Sequence, residues 1–195
     1  MFPYLRQKGK RQRPKEVRVR FKVGKTISQR PKEIKNRQEF GRWEADTVVS
    51  SQVKSKGCIA TFAERKSCYY FCCLILDCSS HSMKEAMYQL IHTFSESALK
   101  TITVDRGKEF SCYKGIESQF NVDIYFAGPY SAWQRGTNEN SNGLLRGFFP
   151  QRTDLAKVTQ EELNYALNVI NHRPRKCLNW DTLCEILNLE VLRLN

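Results

Sequence analysis

The order of apolar and polar positions predicts three strands in the first half of the chain. Apolar, aromatic and β-branched residues dominate three successive segments, which short polar links separate. Segments of this composition and length are typical of β-strands, and short links are typical of antiparallel neighbours. The predicted strands cover 43–50, 57–65 and 67–76.

Helices and strands alternate after the third strand. Apolar residues recur at helical spacing in three stretches, and the two shorter apolar runs between these stretches have strand-like composition. In chain order, the segments cover 82–94 (helix), 101–104 (strand), 108–120 (helix), 122–126 (strand) and 138–149 (helix). A last helix is predicted from Thr159, which has capping-box spacing to Glu162, to about His172. The predicted order is β-β-β-α-β-α-β-α with a further helix at the end.

Composition is compatible with one globular domain and an appendage. The chain has 195 residues, of which 41% are hydrophobic, and this is enough for a sizeable core. No apolar run approaches the roughly 18 residues of a membrane span. The chain opens with basic residues rather than with the apolar stretch of a secretory signal. We therefore expect a soluble, cytoplasmic protein without a membrane partner.

The positive charge is concentrated at one end of the chain. Residues 1–42 contain 15 Lys and Arg against 3 Asp and Glu, whereas residues 43–195 contain 17 of each kind. A basic segment without apolar periodicity predicts an extended arm over 1–40, which would neutralise phosphates and bind nucleic acid in a salt-dependent way. The alternative is a solvated linker whose charge only keeps it soluble.

The eight cysteines are expected to be buried free thiols. They form no CxxC pair, and most of them lie in apolar, strand-like runs. Cys78 and His81 come closest to a pair of zinc ligands, but no second pair completes a tetrahedral site. Core packing in a reducing cytosol is therefore favoured over a disulfide framework or a zinc site.

Three carboxylates stand in segments that suit phosphodiester chemistry. Asp46 lies in the first predicted strand, Asp105 directly follows the fourth, and Glu139 lies in the helix after the fifth. Mg²⁺ and Mn²⁺ prefer oxygen ligands, and two such ions can stabilise both the attacking and the leaving oxygen of an in-line displacement. Each acid alone would more often be a surface group or a helix cap, so it is the coincidence of all three that indicates a site.

The element order and the local sequence both carry a family resemblance. The order resembles the ribonuclease H-like fold of retroviral integrases and DDE transposases, an α/β class with a mixed five-stranded sheet flanked by helices. Local motifs are similar to the catalytic domain of insertion sequence 30 family transposases. They include Trp43-Glu44-x-Asp46, Val104-Asp105-Arg106-Gly107 and Gln134-Arg135-Gly136-Thr137-Asn138-Glu139-Asn140. The resemblance runs from about Phe40 to Trp180.

This resemblance implies a metal-dependent enzyme that cleaves transposon ends and joins them to target DNA. By position, Asp46, Asp105 and Glu139 become the catalytic triad and the ligands of Mg²⁺ or Mn²⁺, with two ions expected. The implied partners are transposon-end DNA, target DNA and further copies of the chain. The catalytic core should span 41–180, and 181–195 should be a short helix or an altered tail. The neighbouring acids that the family pattern passes over are Glu44, Glu109 and Asp123.

Basic and aromatic residues around the triad are candidate DNA contacts. Arg146 follows Glu139 by two helical turns and would reach a phosphate from the same helix face, although an Arg on a helix is more often only solvated. Trp133 would stack on an unpaired base while Arg135 holds its phosphate, although a Trp is more often in a core. The complete set of candidates is Arg106, Lys108, Trp133, Arg135, Arg146, Arg173, Arg175 and Lys176.

Departures from the family pattern leave three hypotheses open. Family members usually carry an N-terminal helix-turn-helix region, which this chain is expected to lack, and the leucine-rich sequence after Asp181 differs from the usual pattern. The first hypothesis is an active DDE transposase catalytic domain. The second is a non-enzymatic DNA-binding remnant that inhibits a transposase. The third is a ribonuclease H-like nuclease with another substrate, such as an RNA–DNA hybrid.

Overall fold

A mixed β-sheet forms the centre of the fold. A computed structural model describes residues 21–50, 55–129 and 131–194, and within them the sheet has six strands. The strands are β1 (Lys25–Thr26), β2 (Arg42–Val49), β3 (Cys58–Glu64), β4 (Tyr70–Ile75), β5 (Thr101–Val104) and β6 (Asp123–Phe126). Their spatial order is β1-β6-β5-β2-β3-β4. Because β2, β3 and β4 are antiparallel neighbours, the predicted meander is confirmed.

Helices cover both faces of the sheet. In the described residues they are α1 (Ser80–Phe94), α2 (Tyr113–Gln119), α3 (Gly136–Phe148), α4 (Gln160–Asn171) and α5 (Leu183–Leu192). Side chains of β3 alternate between two cores, so that Phe62 packs in the cluster that contains α1, and Ile59 in the cluster that contains α3 and α4. Burial on both faces explains why the sequences of β3 and β4 are almost continuously apolar.

The predicted start of the last helix is confirmed. The hydroxyl of Thr159 accepts the backbone N–H of Glu162 at 3.2 Å, and the Glu162 carboxylate accepts the N–H of Thr159 at 2.8 Å. The same capping box, formed by Thr182 and Glu185, begins α5. These boxes satisfy N–H groups that have no partner inside the helix, and thereby fix where each helix begins.

Two segments took a more specific form than their sequences predicted. The helical stretch predicted over 108–120 is a 3₁₀ segment, Lys108–Cys112, followed by α2. Residues 181–195 were predicted to form either a short helix or an altered tail. They contain the helix α5, whose Leu183 and Leu187 are buried. In the described part of the chain, no helix is both long and apolar enough to cross a membrane.

Residues 21–40 are part of the folded domain, which corrects the expected strand count from five to six. β1 pairs in parallel with β6, with Lys25 opposite Tyr125, and Ile34 and Phe40 are buried. β1 consists of two polar residues, which are too few to show the alternation of apolar and polar positions that predicts a strand. The rest of the expected basic arm, 1–20, lies outside the described residues.

The expectation that the cysteines are all free thiols is wrong for one pair. Cys58 and Cys78 form a disulfide, with their Cα atoms 6.4 Å apart. Cys58 stands opposite Ile75 in the β3–β4 ladder. Cys78 comes only three residues after Ile75, which brings it close to Cys58. The expected buried free thiols do occur on β4, where Cys72 and Cys73 are both buried.

Candidate active site

Neighbouring parallel strands bring the first two acids of the predicted triad to one end of the sheet. Glu44 of β2 stands opposite Thr103 of β5. Two residues after Glu44, Asp46 is still within β2. Two residues after Thr103, Asp105 directly follows β5. Since parallel strands advance together, their side chains emerge side by side at the carboxyl end of β5.

A single guanidinium joins these two carboxylates. Arg135 Nη1 lies 2.9 Å from Asp46 Oδ2, and Arg135 Nη2 lies 3.6 Å from Asp105 Oδ2. Nη1 also donates to the carbonyl oxygen of Ala45 at 3.1 Å, and the whole Arg135 residue is only 8% exposed. The two aspartates therefore converge on one positive charge, which compensates the negative charge of their carboxylates.

Burial is the largest influence on the charge state of Asp46. It raises the pKa of the Asp46 carboxyl, because the ionised form loses hydration. The positive charge of Arg135 and the N–H of Thr47, which donates to Asp46 Oδ1 at 2.9 Å, act in the opposite direction, while the nearby Asp105 adds to the rise. The guanidinium of Arg135 therefore favours the ionised form of Asp46 against the effect of burial.

The third acid of the predicted triad lies on α3, the helix that contacts Asp46. Glu139 lies in the first turn of this helix and is exposed. Asn142, three residues later and hence on the same helix face, donates from Nδ2 to Asp46 Oδ2 at 3.3 Å. The face of α3 that carries Glu139 is therefore the face that meets Asp46. Within the described residues, the side chain of Glu139 makes no hydrogen bond or ion pair.

The chemistry of this site fits a hard divalent cation. Two carboxylates already converge on a positive charge, and a third stands free on the adjoining helix face. Carboxylate oxygens are the ligands that Mg²⁺ and Mn²⁺ prefer. No group of three or more His, Cys, Asp or Glu side chains in the described ranges is already arranged to hold a metal ion. Arg135 takes the compensating position instead.

The acids that competed for these roles in the sequence lie in different surroundings. Asp123 is at the β1 side of the sheet, where it pairs with Lys25. Glu109 lies beside the site: Thr47 Oγ1 donates to it at 3.5 Å, and burial, followed by the charges of Asp105 and Asp46, raises the pKa of its carboxyl. The third competitor, Glu44, is completely buried beneath α3.

The candidate DNA contacts fall into two groups. Exposed members include Trp133, whose residue surface is 72% accessible. The Arg146 guanidinium donates to the carbonyl oxygens of Val49 at 2.9 Å and Phe149 at 3.4 Å, and Arg106 donates to that of Ala127 at 3.2 Å. Lys108, Arg173 and Lys176 are exposed like Trp133, whereas Arg106, Arg146 and Arg175 are half-buried. Arg135 differs from the rest, because it is buried against the aspartates rather than open to a phosphate.

Sequence reasoning missed the side chains that hold α3 in place. One of them is Asn138, which is fully buried between α3 and the sheet. Asn142 is not among the predicted site residues, although its side chain donates a hydrogen bond to Asp46. The only available signal was the spacing of three residues between Glu139 and Asn142, which is shared by many unrelated pairs in any helix.

Comparison with known proteins finds insertion-sequence transposases. The chain is 36% identical over 168 residues to transposase InsI for insertion sequence element IS30A of Escherichia coli (strain K12), covering 86% of this chain and 43% of that protein. It is 34% identical over 186 residues to the probable transposase for insertion-like sequence element IS1161 of Streptococcus salivarius, covering 90% and 53%. It is 32% identical over 187 residues to the transposase for insertion sequence element IS4351 of Bacteroides fragilis, covering 93% and 56%. The chain spans about half the length of these relatives.

Solved structures with the same fold are integrase cores. The catalytic core domain of BIV integrase matches with a TM-score of 0.63 and 18% identity, covering 80% of this chain and 100% of that one. A chain of the simian T-cell lymphotropic virus intasome, in complex with PP2A regulatory subunit B56 gamma, matches with a TM-score of 0.64 and 15% identity, covering 92% and 60%. The α/β ribonuclease H-like fold is therefore confirmed. No protein-family model matches the chain.

Proposed function

The chain is homologous over most of its length to insertion-sequence transposases of the IS30 type, and from this premise we propose that it is a DDE transposase catalytic domain. Its reaction is metal-dependent cleavage of transposon ends and transfer of the freed strands to target DNA. The observation that carries the proposal is the convergence of Asp46 and Asp105 on one positive charge beside α3. We further propose that the chain acts as a homo-oligomer on DNA.

In this mechanism the three acids would hold the metal ions. Asp46 on β2 and Asp105 directly after β5 would supply carboxylate oxygens, and Glu139 would supply a third from the exposed first turn of α3. Two bound divalent cations would stabilise the attacking and the leaving oxygens of the displacement. Arg135 must yield part of its position, since its guanidinium lies where these carboxylates meet.

The remaining residues have positioning roles in the proposal. Trp133, on the surface just before α3, would stack on a base of the transposon end. Lys108, Arg173 and Lys176 are exposed and would bind phosphates. Arg146 would reach a phosphate while anchored at the carbonyl oxygen of Val49, because a guanidinium has further N–H groups to donate.

Strand transfer from labelled, pre-cut duplex ends with Mg²⁺ or Mn²⁺ tests the proposal. Pre-cut ends are used so that recognition of a particular end sequence matters less. Wild-type chain should form metal-dependent products, and Asp46→Asn, Asp105→Asn and Glu139→Gln should each reduce them to background without loss of DNA binding. Asp123→Asn is the matched control, because this acid pairs with Lys25 away from the site and its variant should keep activity.

Other outcomes would select the other hypotheses. A triad variant with wild-type activity would remove that acid from the mechanism. Tight DNA binding by a wild-type chain that forms no product would favour the non-enzymatic remnant or inhibitor. Preferential cleavage of an RNA–DNA hybrid over duplex DNA would identify a nuclease of the same fold with another substrate.

A further inference from the structure

The first turn of α3 lacks a cap from its own sequence. The first four N–H groups of any α-helix have no partner inside the helix. Arg135 occupies the N-cap position, and its side chain makes no capping hydrogen bond. Something outside the helix must therefore satisfy the N–H groups that precede Glu139.

The carboxylate of Glu44 provides this cap from the neighbouring strand. Its Oε2 atom accepts the backbone N–H of Thr137 at 2.9 Å and that of Asn138 at 3.0 Å. Glu44 lies on β2 and is 0% exposed. A carboxylate at a helix N-terminus also interacts favourably with the helix dipole. This cap ties α3 to β2 at a point two residues before Asp46.

Two further contacts hold the Glu44 carboxylate in place. Its Oε1 atom forms a buried ion pair with Arg65 Nη1. The hydroxyl of Thr137 lies 3.4 Å from the same oxygen. Arg65 also lies near the carbonyl oxygen of Ile34, at 3.4 Å. Both carboxylate oxygens of Glu44 are thus engaged, so the side chain has one defined position.

Asn138 completes the connection between α3 and the sheet. Its Nδ2 atom donates to the carbonyl oxygens of Glu44 at 2.9 Å and Thr61 at 3.1 Å. The Thr61 hydroxyl lies 3.1 Å from Asn138 Oδ1 and 3.2 Å from the carbonyl oxygen of Asp46. Asn138 is 0% exposed, and Glu139 is the next residue. A buried network therefore links the backbone of Asp46 to the residue before Glu139.

We propose that Glu44 is a positioning residue, which sets the place of Glu139 relative to Asp46 by capping α3 from the catalytic strand. The proposal rests on the proposed function for what this placement achieves. Glu44 is not a catalytic residue, because both oxygens are committed to Arg65 and to the helix. Its effect reaches the metal site only through the position of Glu139.

The test compares Glu44→Gln with the wild-type chain by amide hydrogen exchange and by Mn²⁺ titration calorimetry. Gln keeps the shape of Glu but has one acceptor oxygen, so it cannot cap the helix and accept from Arg65 as Glu does. We expect exchange in the first turn of α3 to accelerate at least tenfold, and the Mn²⁺ dissociation constant to rise about tenfold.

Glu64→Gln is the matched control. Glu64 is also 0% exposed, and its Oε2 atom also accepts two backbone N–H groups, those of Lys66 at 2.8 Å and Ser67 at 2.6 Å. These groups belong to the turn after β3, and the Oε1 atom of Glu64 accepts the N–H groups of Gly41 at 3.2 Å and Arg42 at 3.4 Å at the start of β2, so none of these contacts reaches α3. Exchange should accelerate in that turn, whereas α3 and Mn²⁺ binding should keep their wild-type behaviour.

A second variant covers the case in which Glu44→Gln does not fold. Thr61→Val keeps the shape of the side chain and removes only the hydroxyl, which bonds to Asn138 Oδ1 and to the carbonyl oxygen of Asp46. It should shift both readouts in the same direction by about two- to fivefold. Unchanged α3 exchange in both variants, or an equal effect of Glu64→Gln on α3, would overturn the proposal. Neither readout requires turnover, so an inactive wild-type chain would count against the proposed function alone.

Discussion

Arg135 places its Nη1 atom 2.9 Å from the Oδ2 atom of Asp46, and this pair decides how the site is neutralised before any cation binds. The same guanidinium also approaches Asp105. A divalent cation bound by these aspartates would compete with Arg135 for the same oxygens. We therefore expect the guanidinium to stabilise the fold and to oppose metal binding at the same time.

Replacement of Arg135 with Gln should separate these two effects. In metal-free buffer the variant should lose about 1–3 kcal/mol of unfolding free energy, below the usual figure for a broken buried pair because both aspartates are partly exposed. Its apparent affinity for Mn²⁺ should rise about tenfold, which corresponds to about 1.4 kcal/mol. Urea unfolding with and without Mn²⁺ measures both quantities.

Arg146→Gln is the control for the Arg135 variant. Arg146 donates to backbone carbonyl oxygens of Val49 and Phe149 rather than to the aspartates. Its replacement should leave Mn²⁺ affinity in the absence of DNA unchanged. Weaker Mn²⁺ binding by the Arg135 variant would contradict the competition and would mean that the guanidinium organises the ligands.

Replacing either of two glycines with alanine should change the unfolding free energy in opposite directions. A Cβ at Gly57 would lie 2.5 Å from the backbone nitrogen of Ala156, so Gly57→Ala should cost about 1–3 kcal/mol. A Cβ at Gly143 would meet nothing within 4 Å on the exposed surface of α3. Gly143→Ala should therefore add about 0.5–1 kcal/mol through helix propensity.

Thermal and urea unfolding of both glycine variants measure the difference. Because each change adds one methyl group, the comparison isolates the space around the glycine and its backbone preference. A destabilised Gly143→Ala variant would contradict the open surroundings of α3. A neutral Gly57→Ala variant would mean that the segment containing Ala156 moves aside easily.

The strands were predictable because they follow from local pattern, and the family resemblance implied that the two aspartates share one site. Apolar runs specified the strands around Asp46 and Asp105, and the family motifs selected these two acids. The role of Glu44 was not predictable. A period of two places Glu44 and Asp46 on the same face of β2, but only the packing of α3 decides that one is covered and the other remains near the surface.

Long-range pairs account for the rest of what the sequence did not reveal. The contact between Arg135 and Asp46 joins residues far apart in the chain, and no spacing rule connects them. The Cys58–Cys78 disulfide depends on the register of β3 and β4, which places Cys58 opposite Ile75. A hydrophobic pattern specifies which face of a strand is buried, but charge pairs and disulfides require the tertiary arrangement itself.

Loss of the Thr159 cap should weaken α4. The Thr159 hydroxyl accepts the backbone N–H of Glu162, so Thr159→Ala should lower the unfolding free energy by about 1 kcal/mol. Thr93→Ala is the matched control, because that hydroxyl donates to the carbonyl oxygen of Gln89 within a helix and caps nothing. Equal losses in the two variants, measured by urea unfolding, would mean that the capping box contributes nothing specific.

Alkaline pH should destabilise the fold through buried thiols. Burial raises the pKa of the Cys73 thiol from about 9.0 to about 12. The unfolded chain therefore releases this proton at lower pH than the folded chain. The resulting stability is present below pH 9 and is lost as the pH rises from about 9 to about 12, with a slope of up to about 1.4 kcal/mol per pH unit.

Urea unfolding of Cys73→Ala between pH 8 and pH 10.5 should show a shallower decline in unfolding free energy than the wild type. The variant removes the ionising group, so the part of the slope due to Cys73 disappears. Ile102→Val, in the same buried cluster, is the control: it should lower stability by about 0.5–1.5 kcal/mol at every pH and leave the slope intact. An unchanged slope in Cys73→Ala would mean that this thiol ionises at a similar pH in the folded and unfolded chains, and that its burial is not maintained in solution.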